Sequence, residues 1–151
     1  MKAEPGQSAV ERRVVLDSNV WISAALSRDS APARVVRRVL ERGVAVFSPE
    51  TFAELEARLW RPKFDPWLGI ELRQRILHDA SAAAYWVDIP ERLRTQAWCR
   101  DADDDKFVRT ALAAEAVWLI SGDRDLLEMP VLAGMRIVAP AEAVADPRFC
   151  A

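Results

Sequence analysis

A chain of 151 residues with 51% hydrophobic composition is long enough to bury a full core in one domain without disulfide or metal staples. Cys99 and Cys150 stand far apart with no Cys-x-x-Cys spacing, and His78 is the lone histidine, which leaves no donor set for zinc and makes a Cys–His catalytic pair a poor fit. A net charge of -2 offers no broad attraction for nucleic acid, so such a substrate would need a local basic patch or a bridging metal; no apolar run is long enough to span a membrane and the polar start MKAEPGQSAVERR lacks a signal-peptide core, so a cytoplasmic protein is expected.

Residues 1–11 are polar and are expected to form a flexible N-terminal segment. RRVVLD reads as a buried strand through Val14, Val15 and Leu16 that ends on Asp17. Ser18 and Asn19 can cap a helix through VWISAAL, and Pro32 suits the start of a second helix in SAPARVVRRVLERG that Gly43 stops. VAVFS predicts the second strand. Ser48 as cap and Pro49 as first helical residue open a helix whose stripe of Phe52, Leu55 and Leu59 faces inward, with Glu54 off it. Arg61 to Pro66 read as a turn, a further helix is predicted from Trp67 to about Ala84, and YWVDIP reads as the third strand. The helical spacing of Phe107, Val108, Ala111 and Leu112 leads into AVWLIS, a short buried strand, followed by a fifth in MRIVAP and a closing helix in PAEAVAD. This alternation over residues 12–146 argues for an α/β fold in a single domain, a parallel sheet of about five strands with helices on both faces, followed by a short tail at 147–151.

Acid is concentrated where the fold has least use for it. Asp103, Asp104 and Asp105 crowd the start of one helix, Asp123 and Asp125 follow the fourth strand, and Asp17 ends the first. In an open parallel sheet the ligand site lies beyond the carboxyl ends of the strands, where strand order reverses, so Asp17 and Asp123 belong to that region. Two charges about 4 Å apart repel by about 4 kcal/mol at an effective dielectric near 20, which points to a bound cation. Ordinary helix capping and turn formation also place aspartates at such positions and form the competing explanation.

Three blocks, VVLDSNVWISAAL, SPETFAELEARLWRPKF and RDADDDKFVRTALAAEAVWLISGDRDLL, in this order and spacing resemble the PIN domain and, within it, the VapC-like toxin components of bacterial toxin–antitoxin modules, over about residues 13–143. The resemblance implies a single PIN-like α/β domain with metal-dependent endoribonuclease activity. Carried over by position, Asp17 matches the first-strand acid, Glu54 the helical glutamate, Asp105 the third acid and Asp123 the fourth, with Asn19 and Ser121 as accompanying polar residues. Asp104 competes with Asp105, Glu50 and Glu56 compete with Glu54, and Asp125 is either an outer ligand or a turn residue. The resemblance further implies RNA as substrate, one or two Mg2+ or Mn2+ ions, and a cognate antitoxin covering the cleft; a homodimer is the expected assembly.

The implied chemistry suits these residues. Both ions prefer hard oxygen ligands, and a bound ion acidifies water and neutralises charge on the scissile phosphate, so no histidine base is needed. Arg28, Arg61, Lys63, Arg100, Lys106 and Arg124 are candidates for phosphate contacts. Trp21, Trp86 and Trp118 read as packing residues, whereas Trp60 and Trp67 flank the Arg61–Pro66 turn and could face a substrate or partner. The alternatives are a housekeeping RNA-processing nuclease of the same fold and, from a different class, a non-catalytic binding or receiver-type α/β module. A receiver fits less well, since Asp88 runs into Ile89 and Pro90 and MRIVAP offers no lysine.

Overall fold

The structure, a computed structural model, describes residues 10–130, 132 and 134–151. Five strands, β1 (Arg13–Leu16), β2 (Val44–Phe47), β3 (Tyr85–Trp86), β4 (Trp118–Ile120) and β5 (Arg136–Val138), form one parallel sheet in the order β3-β2-β1-β4-β5. The helices are α1 (Ser18–Leu26), α2 (Ala31–Arg42), α3 (Pro49–Leu59), α4 (Ile70–Ala83), α5 (Glu91–Arg94), α6 (Asp105–Ala113), α7 (Arg124–Leu127) and α8 (Pro140–Ala145). Of the expected flexible segment, residues 1–9 lie outside the described residues, and Val10 and Glu11 are helical.

Strand alternation divides the core in two. Val14, Leu16, Ala45, Phe47, Trp118 and Ile120 point to one face, where Trp21, Val35, Val39, Leu55, Leu59 and Ala143 of α1, α2, α3 and α8 cover them. Val15, Val46 and Leu119 point to the other, under Phe107, Val108 and Ala111 of α6 and Leu126 of α7. Period-2 burial in strands and period-3.6 burial in helices thus yield an α/β sandwich of helix, sheet and helix, as the pattern predicted. Ser48 closes the α3 cap reciprocally with Thr51, its Oγ accepting from Thr51 N–H at 3.2 Å while its own N–H donates to Thr51 Oγ1 at 3.0 Å.

Three expectations shift. The helix expected from Trp67 begins at Ile70, because Pro62–Phe64 form a 3-10 turn and the chain re-enters the core at Leu68 before Gly69 sets the cap. The third strand shortens to Tyr85–Trp86 at the sheet edge, where Val87 N–H still reaches Phe47 O at 2.9 Å before Pro90 and α5 take over. Being on the edge, Trp86 packs its ring on Phe47 and Phe52 yet remains 43% exposed, unlike the buried Trp21 and Trp118. Residues 147–151, set apart above as a tail, place Phe149 and Cys150 in the core: Phe149 meets Trp118 edge-on at 5.2 Å, and a Cβ at Gly43 would come within 2.8 Å of Cys150 Sγ. Gly43 therefore answers to a close approach as well as to helix termination. No helix among the described residues is long and apolar enough to cross a membrane.

Candidate metal centre

From β1 the chain adds β2 and β3 on one side, then returns to place β4 and β5 on the other, so strand order reverses between β1 and β4. Pairing of Leu16 with Ile120 sets the two strand ends level, and Asp17 N–H donates to Ile120 O at 3.0 Å. Asp17 and Ser121 consequently emerge side by side at the switch point. The Ser121 hydroxyl donates to Asp17 Oδ2 at 2.7 Å and accepts from Asp123 N–H at 2.9 Å, so one buried hydroxyl ties the first acid to the turn carrying another.

Asp17 itself, rather than Ser18 or Asn19, caps α1: its Oδ1 accepts from Asn19 N–H at 3.4 Å, and the Asn19 residue is exposed. Burial raises the Asp17 carboxyl above its ordinary range, the Ser121 hydrogen bond opposes this, and the Glu54 charge adds to it. Asp123 caps α7 in the same way, Oδ1 accepting from Asp125 N–H at 2.8 Å. Both capping and clustering are therefore present, and for these two residues they do not exclude each other.

Asp104 separates the two explanations. A 3-10 turn at Ala102–Asp104, capped by Asp101, delivers it to the N-terminus of α6. There it makes no capping bond, is 6% exposed, and has a buried Oδ2 without a hydrogen-bond partner. Burial first, then the charges of Asp123, Asp101 and Asp17, push its carboxyl up to about 7. Asp101, Asp104 and Asp125 also bring one carboxylate oxygen each within 4.8 Å of one another. Asp104 thus belongs to a close group with Asp101 and Asp125 and also feels the charges of Asp17 and Asp123. Among the described residues no Lys, Arg or His lies within 4.0 Å of the Asp17, Asp104 or Asp123 carboxylates, although Glu50, Glu54, Asp105 and Asp125 all have such partners. Hard carboxylate oxygens crowded without a protein cation are a donor set suited to Mg2+ or Mn2+.

Asp105, the third acid by resemblance, makes contacts of its own outside that group. Its Oδ1 accepts from the backbone N–H groups of Trp98 and Cys99 at 3.1 and 2.6 Å, and its Oδ2 lies 3.7 Å from Arg109. It pins the segment before the acidic turn. Burial and the Asp105 hydrogen bond push the Cys99 thiol up to about 12, leaving it inert as a nucleophile at neutral pH.

Glu54 projects from α3 to the same end of the sheet. Its Oε2 accepts from Ser18 Oγ at 3.0 Å, and its Oε1 lies 3.1 Å from Lys106 Nζ and 3.6 Å from Arg58. Its rivals go elsewhere: Glu50 pairs with Arg94 at 2.9 Å, and Glu56 is exposed. Of the basic candidates, Lys106 stands beside Glu54, Arg100 reaches Asp125 at 3.9 Å and Glu128 at 3.7 Å, and Arg124 follows Asp123 directly. Arg28 lines a groove between α1 and α2, and the exposed Arg61 and Lys63 lie on the α3–α4 connection with Trp60 and Trp67, which are 36% and 68% exposed. Sequence reasoning missed Ser18 and Asp101. Ser18 could have been suspected from its place beside Asp17, and Asp101 from its spacing of three before Asp104.

A PIN domain family model matches residues 13–125. An uncharacterized protein of Methanocaldococcus jannaschii is 30% identical over 122 residues, which cover 80% of this chain and 76% of that protein. Among solved structures, VapBC2 from Rickettsia felis, seen bound to a DNA fragment from their promoter, is similar with a TM-score of 0.58 at 15% identity over 84% of this chain and 98% of its own. PAE2754 from Pyrobaculum aerophilum is similar with a TM-score of 0.59 at 16% identity over 95% and 94%. At such identities the two structures speak to the fold.

Proposed function

The chain belongs to the PIN domain family, whose members are generally nucleases, and on that footing we propose that it is a metal-dependent endoribonuclease and the toxin of a toxin–antitoxin pair. The observation that carries the reading is Asp104, a buried carboxylate with an unpartnered oxygen, set among Asp17, Asp101 and Asp123, none of which has a Lys, Arg or His within 4.0 Å among the described residues. Asp17, Asp104 and Asp123 would hold one or two Mg2+ or Mn2+ ions, with Asp101, Asp125 and Glu54 at the margin. When bound, the ion supplies acidified water and neutralises charge on the phosphoryl and leaving oxygens.

The chain's own groups do the positioning. Ser121 holds Asp17 and the Asp123 turn in register, so neither acid has to be reorganised on binding. Ser18 and Lys106 hold Glu54, and the Lys106 ammonium, 26% exposed at the rim, can turn to a phosphate oxygen. Asp105 acts at one remove, by fixing the approach to the acidic turn. The antitoxin part of the proposal rests on the resemblance of the three sequence blocks and on the fold shared with VapBC2.

The test is cleavage of an RNA pool by purified protein with Mg2+ or Mn2+, with product ends mapped, beside EDTA and the Asp17→Asn and Asp104→Asn proteins. Cleavage should require metal and fall at least 100-fold in either variant, equivalent to about 2.7 kcal/mol in the barrier. Undiminished cleavage in EDTA or by Asp17→Asn overturns the reading.

A further inference from the structure

Helix α2 buries Ala33, Val35 and Val39 and carries Arg34, Arg37, Arg38 and Arg42 on its outer side. Arg34, Arg38 and Arg42 recur at four-residue intervals, so they stand above one another, rising about 6 Å at each step. Together with Glu41 and Val144 the four arginines line a depression of 340 Å³. Arg37 donates to Arg28 O at 2.8 Å and Arg38 to Val144 O at 3.3 Å; both acceptors are carbonyls, so neither bond neutralises charge. Among the described residues none of the four has a carboxylate within 4.0 Å. Like charges at helical spacing weaken a helix, and in a chain of net charge -2 such a concentration is not a reflection of composition.

We propose that this stripe is a docking surface for the phosphate backbone of RNA, distinct from the acids and resting on the ribonuclease reading. Gly43 ends α2 at the start of β2, so Arg42 lies towards the amino ends of the strands while Asp17 leaves the carboxyl end of β1. A strand held here is presented to the cleft from outside it, and the surface serves long RNA rather than dinucleotides. Planar guanidinium forks in a ladder suit repeated phosphates, which they bind bidentately and without reading base identity. An acidic peptide would need apolar anchoring as well, and Val144 is the lone apolar residue of the lining.

The experiment measures binding of a labelled single-stranded RNA of about twenty nucleotides to the metal-free full-length protein across a salt series, for the parent and an Arg34→Gln/Arg42→Gln protein. Two lost phosphate contacts should lower the slope of log K against log salt by about 1.4 and weaken binding about tenfold near 0.1 M salt. The variant's melting temperature should equal or slightly exceed the parent's, since two like-charge pairs are relieved, and its metal-dependent cleavage of a dinucleotide should match the parent. Equal affinity and slope in the two proteins, no RNA binding by the metal-free parent, or tighter binding of polyglutamate than of RNA overturns the inference. Arginine-dependent RNA binding by a protein that fails to cut RNA would sink the nuclease reading and leave this surface standing.

Discussion

Asp104 and Asp105 are adjacent in the chain and face different surroundings: Asp105 Oδ1 takes the backbone N–H groups of Trp98 and Cys99, while Asp104 Oδ2 is buried without a partner among Asp17, Asp101 and Asp123. One residue of a 3-10 turn rotates the chain by about a third of a turn, so neighbours at the junction of the turn and α6 must point to different places. One aspartate is tied to the segment before the turn and the other faces the acidic cluster.

Substitution should separate these two roles. Asp105→Ala removes the acceptor of two backbone N–H groups, and at about 1–3 kcal/mol for an unsatisfied buried donor the protein should lose about 2 kcal/mol or more, with or without metal. Asp104→Asn removes a charge from a crowded cluster and gives Asp123 a donor, so in EDTA at low salt its melting temperature should rise above the parent's. Thermal unfolding of both proteins decides. A stabilised Asp105→Ala or a destabilised Asp104→Asn would reverse the assignment.

The raised Asp104 carboxyl makes the metal-free protein sensitive to pH. Its folded value of about 7 lies above the ordinary 3.8, so between about pH 4 and 7 the native state keeps a proton that the unfolded chain has lost. The stabilisation from this group is complete below about pH 4 and is lost as pH rises through 7, and Asp104→Asn should flatten that slope in EDTA. A slope unchanged by the substitution would show that Asp104 is not the titrating group.

A divalent ion has to displace the same proton. Metal affinity should therefore be higher at pH 8 than at pH 5.5, and at one hundred times Kd the ion should add about 2.7 kcal/mol to the parent. Asp17→Asn and Asp104→Asn should gain less. Calorimetric titration with Mg2+ and Mn2+ at both pH values measures this, and a melting temperature indifferent to metal would remove the basis for a metal centre.

Ser121→Ala deletes one hydroxyl with two duties. Asp17 loses a donor at 2.7 Å in a buried setting, and Asp123 N–H loses an acceptor at 2.9 Å in a half-buried one. A loss of about 2 kcal/mol in stability is expected, with slower cleavage at saturating metal. Ser121→Thr, which keeps the hydroxyl, should recover most of the rate; if alanine cleaves as well as the parent, Ser121 serves the turn alone.

Expression of the chain by itself should arrest growth, and a small protein encoded beside it should relieve the arrest. Plating efficiency with and without the Asp17→Asn substitution reads this out. RNA cleavage in vitro without any growth defect would favour the housekeeping nuclease.

Much of this protein follows from local pattern, because alternation in strands and the 3.6-residue rhythm in helices are properties of short segments. Val14–Leu16 ending on Asp17, and the buried strand before Ser121 and Asp123, already place two acids at strand ends, and alternating strands and helices require a parallel sheet. Tertiary structure decided what depends on direction and on neighbours far along the chain. Asp104 and Asp105 are chemically identical, and their surroundings differ because of a 3-10 turn that no periodicity announces and because Trp98 and Cys99 lie where Asp105 can reach them. Ser18 bonding Glu54 across 36 positions, and Trp86 left half open because its strand lies at the sheet edge, have the same origin: hydrogen bonds and burial are settled by which surfaces the fold brings together, and composition along the chain does not encode that distance.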